Sequence, residues 1–202
     1  MCSETFLRLP EEKRNRFLNA AWEEFTKTRF TEVSINQIVR KAGIPRGSFY
    51  QYFLDKDDLF AYLLEEVRNH VKAEYRKALT ARGGDIFQAQ IECFDRMASQ
   101  ELMQDPVMAR CMKFLKRNQG VDIQKMLPTR PGHRLMDGLL DVMDLSILRC
   151  QDEGYARNVF GLLMAALGSA VMDTMCQPER RQEFREELEM KLEIIKNGCL
   201  KK

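Results

Sequence analysis

The run from Ser34 to Asp57, SINQIVRKAGIPRGSFYQYFLDKD, leaves the chain little freedom in how it folds. Ser34 followed three residues later by Gln37 has the form of a capping box, in which each side chain bonds the other's backbone N–H, and Val33 and Ile38 stand at the two staple positions. Ile35, Ile38 and Val39 recur at helical spacing, which gives that helix one apolar face. Gly43 closes it, since glycine enters the left-handed conformation cheaply. Pro45 suits the first turn of a second helix, where its missing N–H costs nothing. In that helix Phe49 and Phe53 lie four apart as core, while Arg46, Gly47, Tyr50 and Gln51 form an outward arc. Asp55 caps a third helix whose first turn carries Lys56. A helix, a tight turn and a short second helix make the layout that lays the second helix in the major groove of DNA.

The chemistry of the arc fits that layout. Arg46 can fork onto guanine or phosphate, Gln51 can pair with an adenine edge, Tyr50 can stack on a sugar or a thymine methyl, and Gly47 lets the backbone approach. Tyr52 is expected to share the surface with Tyr50 and Gln51. Lys56, at a helix N-terminus, is expected to meet a phosphate. With Ser34, Gln37 and Ser48 these residues make up the expected DNA-binding set. Lys13, Arg14 and Arg16 read equally well as phosphate contacts or as a solvated face. Charge alone would not point to DNA: the net charge is +2, and residues 1–56 hold 10 Lys/Arg against 7 Asp/Glu.

The run AGIPRGSFYQYFLDKDDLF, with F-x-x-x-S-I-N-Q-I upstream of it, resembles the DNA-binding signature of the TetR family of transcriptional regulators. The resemblance covers about the first quarter of the chain. It implies a homodimer on a palindromic double-stranded operator, a ligand cavity among the helices of a second domain, and repression more often than activation. One departure stands out: many members have Ser or Thr where this chain has Pro45, so a hydroxyl-to-phosphate contact is missing there and Ser48 is the residue placed to replace it.

Beyond the reading head the apolar spacing predicts helices throughout, and the fold class is all-α, with a DNA-binding domain over 1–54 and a helical effector-binding and dimerisation domain over 55–202. Helices are expected from Pro10, over 55–80, 86–102, 105–115, 132–152 and 155–176, and from Pro178 onward; residues 1–9 read as a loose arm and 120–131 as an irregular link. Soft and polar residues of the middle helices supply the expected effector site: His70, Gln90, Cys93, Phe94, Met97, Cys111, Met112, Met136, Met143 and Met164. Core packing is the plainer reading of most of them. Asp137, Asp141 and Asp144 share a helical face, either an acidic wall or a solvated one. Gly161, Ala165 and Gly168, with the stripe Phe184, Leu188, Leu192 and Ile195, are expected to form a four-helix seam between two chains.

Other classes find no support in the residues. Catalytic signatures such as G-x-S-x-G and H-E-x-x-H are lacking, so no enzyme is expected. The six cysteines are spread without close pairs, which implies no metal site and suggests reduced thiols in a cytoplasmic protein. No cofactor is implied, and the most apolar run, 159–172, is too short to span a bilayer. The rival to a regulator is a helical interaction or ligand-binding protein with a vestigial reading head.

Overall fold

A computed structural model of the chain describes residues 2–99, 104–118 and 136–200. Its elements are helical, apart from an isolated antiparallel bridge between Leu148 and Leu200, and the all-α class holds. In chain order the α-helices are α1 (Glu4–Leu7), α2 (Glu11–Lys27), α3 (Ile35–Ala42), α4 (Arg46–Tyr52), α5 (Lys56–Ala81), α6 (Ile86–Met97), α7 (Pro106–Arg117), α8 (Glu153–Cys176) and α9 (Arg181–Cys199). They fall into two compact units, one of Met1–Arg68 with Pro106–Pro128, the other of Asn69–Asp105 with Thr129–Lys202. Packing therefore draws its boundary later than residue 54. Leu59, Phe60 and Leu63 on the first half of α5 are buried, and Phe60 lies 5.0 Å from Phe25 and 4.4 Å from Phe114 by ring centroid.

The first unit is built on aromatic side chains. Phe6 is fully buried among Phe17, Tyr52, Phe53 and Tyr62, with centroids 4.8–5.6 Å away. Residues 2–9 are thus no loose arm. Ser3 caps α1 through Phe6 N–H, donates its own N–H to Tyr52 O at 2.9 Å, and donates Oγ–H to Gln51 O at 2.6 Å. Burying one Phe contributes about 1.5–3 kcal/mol, and the two bonds from Ser3 satisfy carbonyls that the end of α4 would otherwise leave orphaned. On the other side Asn118 accepts Phe30 N–H at 2.8 Å and so ties the end of α7 to the turn before α3.

In the second unit α8 packs on α6 and α9. By length and composition α8 could cross a membrane, with an 18-residue window of mean hydropathy 1.7. One face of it buries Val159, Phe160, Leu163, Leu167, Ala170 and Val171 within the unit. Arg181 and Arg185 both reach Asp95, pinning α9 to α6.

The helix expected over 132–152 is corrected by its described part. Residue 136 is helical and Leu140–Val142 make one 3-10 turn, but the rest is irregular. Asp144 N–H donates to Gly84 O at 3.0 Å, and Asp144 Oδ1 accepts from Ser146 N–H and Oγ–H, so local and cross-chain bonds replace the helical ladder. Gly84, at φ +88°, permits this contact, because a Cβ there would lie 2.7 Å from Asp144 N. The acidic face dissolves with the helix: Asp137 pairs with Arg157 and Asp141 with Arg76. The link expected over 120–131 lies outside the described residues.

Candidate nucleic-acid interface

The turn that presents α4 follows from local chemistry. Gly43 ends α3 at φ +66°, and Ile44 N–H donates back to Val39 O at 3.0 Å, the crossed bonding that closes a helix in a left-handed cap. Pro45 sits at the N-cap of α4 in extended conformation. Phe49 is fully buried and Phe53 nearly so, which fixes the rotation of the helix and turns Arg46, Gly47, Tyr50 and Gln51 outward. Tyr50 is 50% exposed. Nothing would lie within 4 Å of a Cβ at Gly47, so the approach to the backbone is open.

The outward groups are bonded to one another. Arg46 donates from Nη1 to Asn36 Oδ1 at 2.7 Å and from Nη2 to Tyr50 Oη at 3.3 Å, and its guanidinium stands 6.0 Å from the Tyr50 ring centroid. Asn36, an exposed residue of α3, was not legible in sequence as part of the arc; only its place in the first turn of that helix hints at it. Its carbonyl and the Tyr50 hydroxyl take two of the five N–H donors of the guanidinium and leave the other three for DNA.

Several expected contacts are corrected. Tyr52 is buried at 9% exposure, with its ring against Phe6 and Phe17, because it lies on the inner side of α4. The capping box is not made: Ser34 makes no side-chain cap, and the Gln37 amide oxygen accepts from Arg40 at 2.6 Å instead. The buried carboxylate of Glu24 takes the Ser34 N–H at 3.2 Å. Lys56 turns away from the helix end, donating to Phe30 O at 2.9 Å and Thr31 O at 3.2 Å. Asp55 fills the N-terminus of α5 as expected, accepting Asp58 N–H at 2.8 Å, and so occupies the place proposed for a phosphate. Arg14 gives one donor to Leu7 O and Arg16 one to Ala42 O, which leaves the rest of each guanidinium open to either expected role. Ser48 is half-buried on α4.

The expected effector residues divide between the units. Cys111 and Met112 are buried on α7 in the first unit, whereas Gln90, Cys93, Phe94, Met97, Met136, Met143 and Met164 belong to the second. Gln90 does point inward. It is fully buried, donates to Tyr75 Oη at 2.5 Å, and its Oε1 has no donor among the described residues. Burial pushes the Cys93 thiol up to about 12, and burial alone does the same at Cys111, so neither is a ready thiolate. His70 stands apart in an open cleft of about 1070 Å³, with Nε2 3.9 Å from Asp105. That cleft is charged, and its Glu74, Glu92 and Asp95 are paired with Lys77, Arg82, Arg96 and Arg185.

The expected seam is also corrected. Phe184, Leu188 and Leu192 are buried within the chain, at 6%, 0% and 6% exposure, and Ile195 is half-buried. The faces left open are Leu162, Ala165 and Gly168 on α8, with Gly161 half-exposed, and Met190 and Ile194 on α9.

Residues 17–63, which hold most of α2 and all of α3 and α4, match the family described as bacterial regulatory proteins, tetR family. The uncharacterized HTH-type transcriptional regulator YdgC of Bacillus subtilis (strain 168) is 36% identical over 72 residues, which is 36% of this chain and 37% of that protein. The HTH-type transcriptional regulator HbdR of Aromatoleum sp. (strain CIB) is 36% identical over 67 residues, 33% of this chain and 29% of that protein. The chain thus aligns with about a third of the length of these relatives. Over nearly the whole length its fold is similar to SmeT, the repressor of the Stenotrophomonas maltophilia multidrug efflux pump SmeDEF, at TM-score 0.58, 22% identity and 97% and 93% coverage of the two chains. A SmeT–triclosan complex is similar at TM-score 0.61, 20% identity and 95% and 93% coverage. At these identities the likeness concerns the fold.

Proposed function

We propose that the chain, whose residues 17–63 match the tetR family of bacterial regulatory proteins, is a sequence-specific transcriptional regulator of that family, a repressor that grips a palindromic operator as a homodimer. The observation that carries this reading is the exposed arc of Arg46, Tyr50 and Gln51, held up by Asn36 and by a buried aromatic base. Direct contacts come from Arg46, Tyr50 and Gln51, with Gly47 admitting the backbone and Ser48 at the edge.

The partner is a second copy, joined through the open faces of α8 and α9 around Leu162, Ala165, Gly168, Met190 and Ile194. Two-fold symmetry then matches two half-sites a helical turn apart. A small, largely apolar effector enters the second unit, where the unpaired Gln90 Oε1 and the Tyr75 hydroxyl supply polar handles among Cys93, Phe94 and the methionines. SmeT, of similar fold, has been solved with triclosan, which supports an effector of that kind. The effector acts by favouring an arrangement that spaces the two α4 helices wrongly for DNA, and α5, which runs through both units, carries the change. The protein works in the cytoplasm, where its operator is.

Selection of random duplexes on the purified chain, followed by sequencing, tests the reading. An enriched inverted repeat is expected. Failure to enrich any motif at low salt would favour a helical ligand-binding protein with a vestigial head. Effector and operator must also weaken each other's binding equally.

A further inference from the structure

The turn closed by Gly43 brings the start of α4 against the first turn of α3, and three exposed side chains meet there: Asn36, Arg46 and Tyr50. Their hydrogen bonds have a fixed sense, because a guanidinium only donates. The atom that Asn36 turns to Arg46 Nη1 at 2.7 Å is therefore its amide oxygen, and Tyr50 meets Nη2 at 3.3 Å with a lone pair of its hydroxyl. Both acceptor oxygens of the trio are thus engaged by Arg46. What remains to face outward is a set of donors: Asn36 Nδ2, the Tyr50 O–H and the other N–H groups of Arg46, which are bonded to nothing else among the described residues. That sense selects among base edges. In the major groove guanine shows two acceptors, N7 and O6, whereas adenine sets an amino donor beside its acceptor and cytosine shows an amino donor. Asparagine reads adenine by using its amide oxygen and nitrogen together. Here the oxygen already holds Arg46, so reading adenine would require the amide to let the guanidinium go.

We propose that Asn36 is a positioning residue that sets Arg46 for guanine, so that each operator half-site carries a guanine beneath this trio. The inference rests on the groove-reading arc proposed above and adds the base that the arc selects and the residue that fixes the choice. Guanine satisfies the outward donors while every bond within the trio is kept. Arginine is also a long side chain that loses rotamer freedom when it is fixed, and its fork loses less per bond when it is held beforehand. Asn36 and Tyr50 hold it from two sides before DNA arrives. Asn36 stands on α3, outside the helix that enters the groove, so its effect on the choice of base passes through Arg46.

Random duplexes are selected on the full chain, and the enriched site is then studied by fluorescence anisotropy. Each half-site should hold a guanine whose replacement by 7-deazaguanine, with C–H in place of N7, weakens binding of the parent chain about tenfold or more. This probe alters only the DNA and so does not depend on the folding of a variant. Exchanging the same G·C pair for A·T measures the discrimination at that position. Asn36→Ala should bring the discrimination close to one while leaving the affinity for a scrambled duplex and the circular dichroism spectrum unchanged, a split that a merely structural role would not produce. Arg46→Ala should relax the preference at the same position, which ties that guanine to the trio. Undiminished discrimination in Asn36→Ala, a 7-deazaguanine duplex bound as tightly as its parent, or an inverted repeat with no guanine at which Arg46→Ala relaxes the preference would each overturn the proposal and leave the groove-reading arc standing. Failure to enrich any repeat would overturn both, so the two failures are told apart.

Discussion

α4 and α9 each expose a surface, and the two surfaces differ in build and in chemistry. α4 has seven residues, too few to stay helical alone in water. It is held from beneath by Phe49 and Tyr52, and at its C-terminal end by Ser3, and what it shows outward is polar. α9 has 19 residues and braces itself along its length with pairs such as Arg185–Glu189 and Lys191–Glu187. Yet α9 leaves Met190 60% and Ile194 73% exposed, next in the unit to α8 with Leu162 at 59%. Polar groups that already bond one another can exchange those bonds for base edges at little cost. Bare apolar side chains gain only by leaving water. Exposure marks both surfaces, and chemistry tells them apart.

The largest effect should come from separating the two faces of α9. Leu188→Ala opens a cavity in the core and should cost about 2–5 kcal/mol by denaturant unfolding. Ile194→Glu, six residues on, should change monomer stability by no more than ~0.5 kcal/mol and yet abolish self-association in sedimentation; a variant that still dimerises would remove this face from the account. On α4, Arg46→Ala or Tyr50→Ala should lower affinity for the selected duplex by about 1–3 kcal/mol with an unchanged helical circular dichroism spectrum. Lys56→Ala sharpens the contrast further. Because its ammonium is spent on Phe30 and Thr31 carbonyls, the variant should lose about 1 kcal/mol of stability and leave the salt dependence of DNA binding as it was.

The smallest effect concerns pH. Lys77 and then Arg96 bond Glu74 and hold its carboxyl below the ordinary 4.5, so the stability it contributes is present above that value and lost as pH falls through the lower folded value. Glu74→Gln should therefore lower stability slightly at neutral pH, change it little below the folded value, and so shallow the acid limb of the stability curve.

What could be read from the sequence was what neighbouring residues decide. Gly43 closes α3, Phe49 and Phe53 set the rotation of α4, and Asp55 caps α5, each within a turn of the element it governs. What could not be read depends on distant partners. Glu24 takes the Ser34 N–H that the capping box was expected to leave on its own side chains, and Lys56 reaches carbonyls 25 and 26 residues upstream. The same holds for Ser3 and Phe6, whose roles exist only against the end of α4. Periodicity misled twice. Met136 and Leu139 are buried as their spacing implied, but a bond to Gly84 shapes the chain after them. The stripe of α9 is apolar because it faces its own unit, and spacing alone does not distinguish that from facing a second chain.

The most direct measurement is the ratio of affinities for the selected inverted repeat and for a scrambled duplex of equal length, taken at one salt concentration by fluorescence anisotropy. A groove-reading arc predicts a ratio on the order of 10³ or more. A ratio near one, in a folded and dimeric sample, would contradict it.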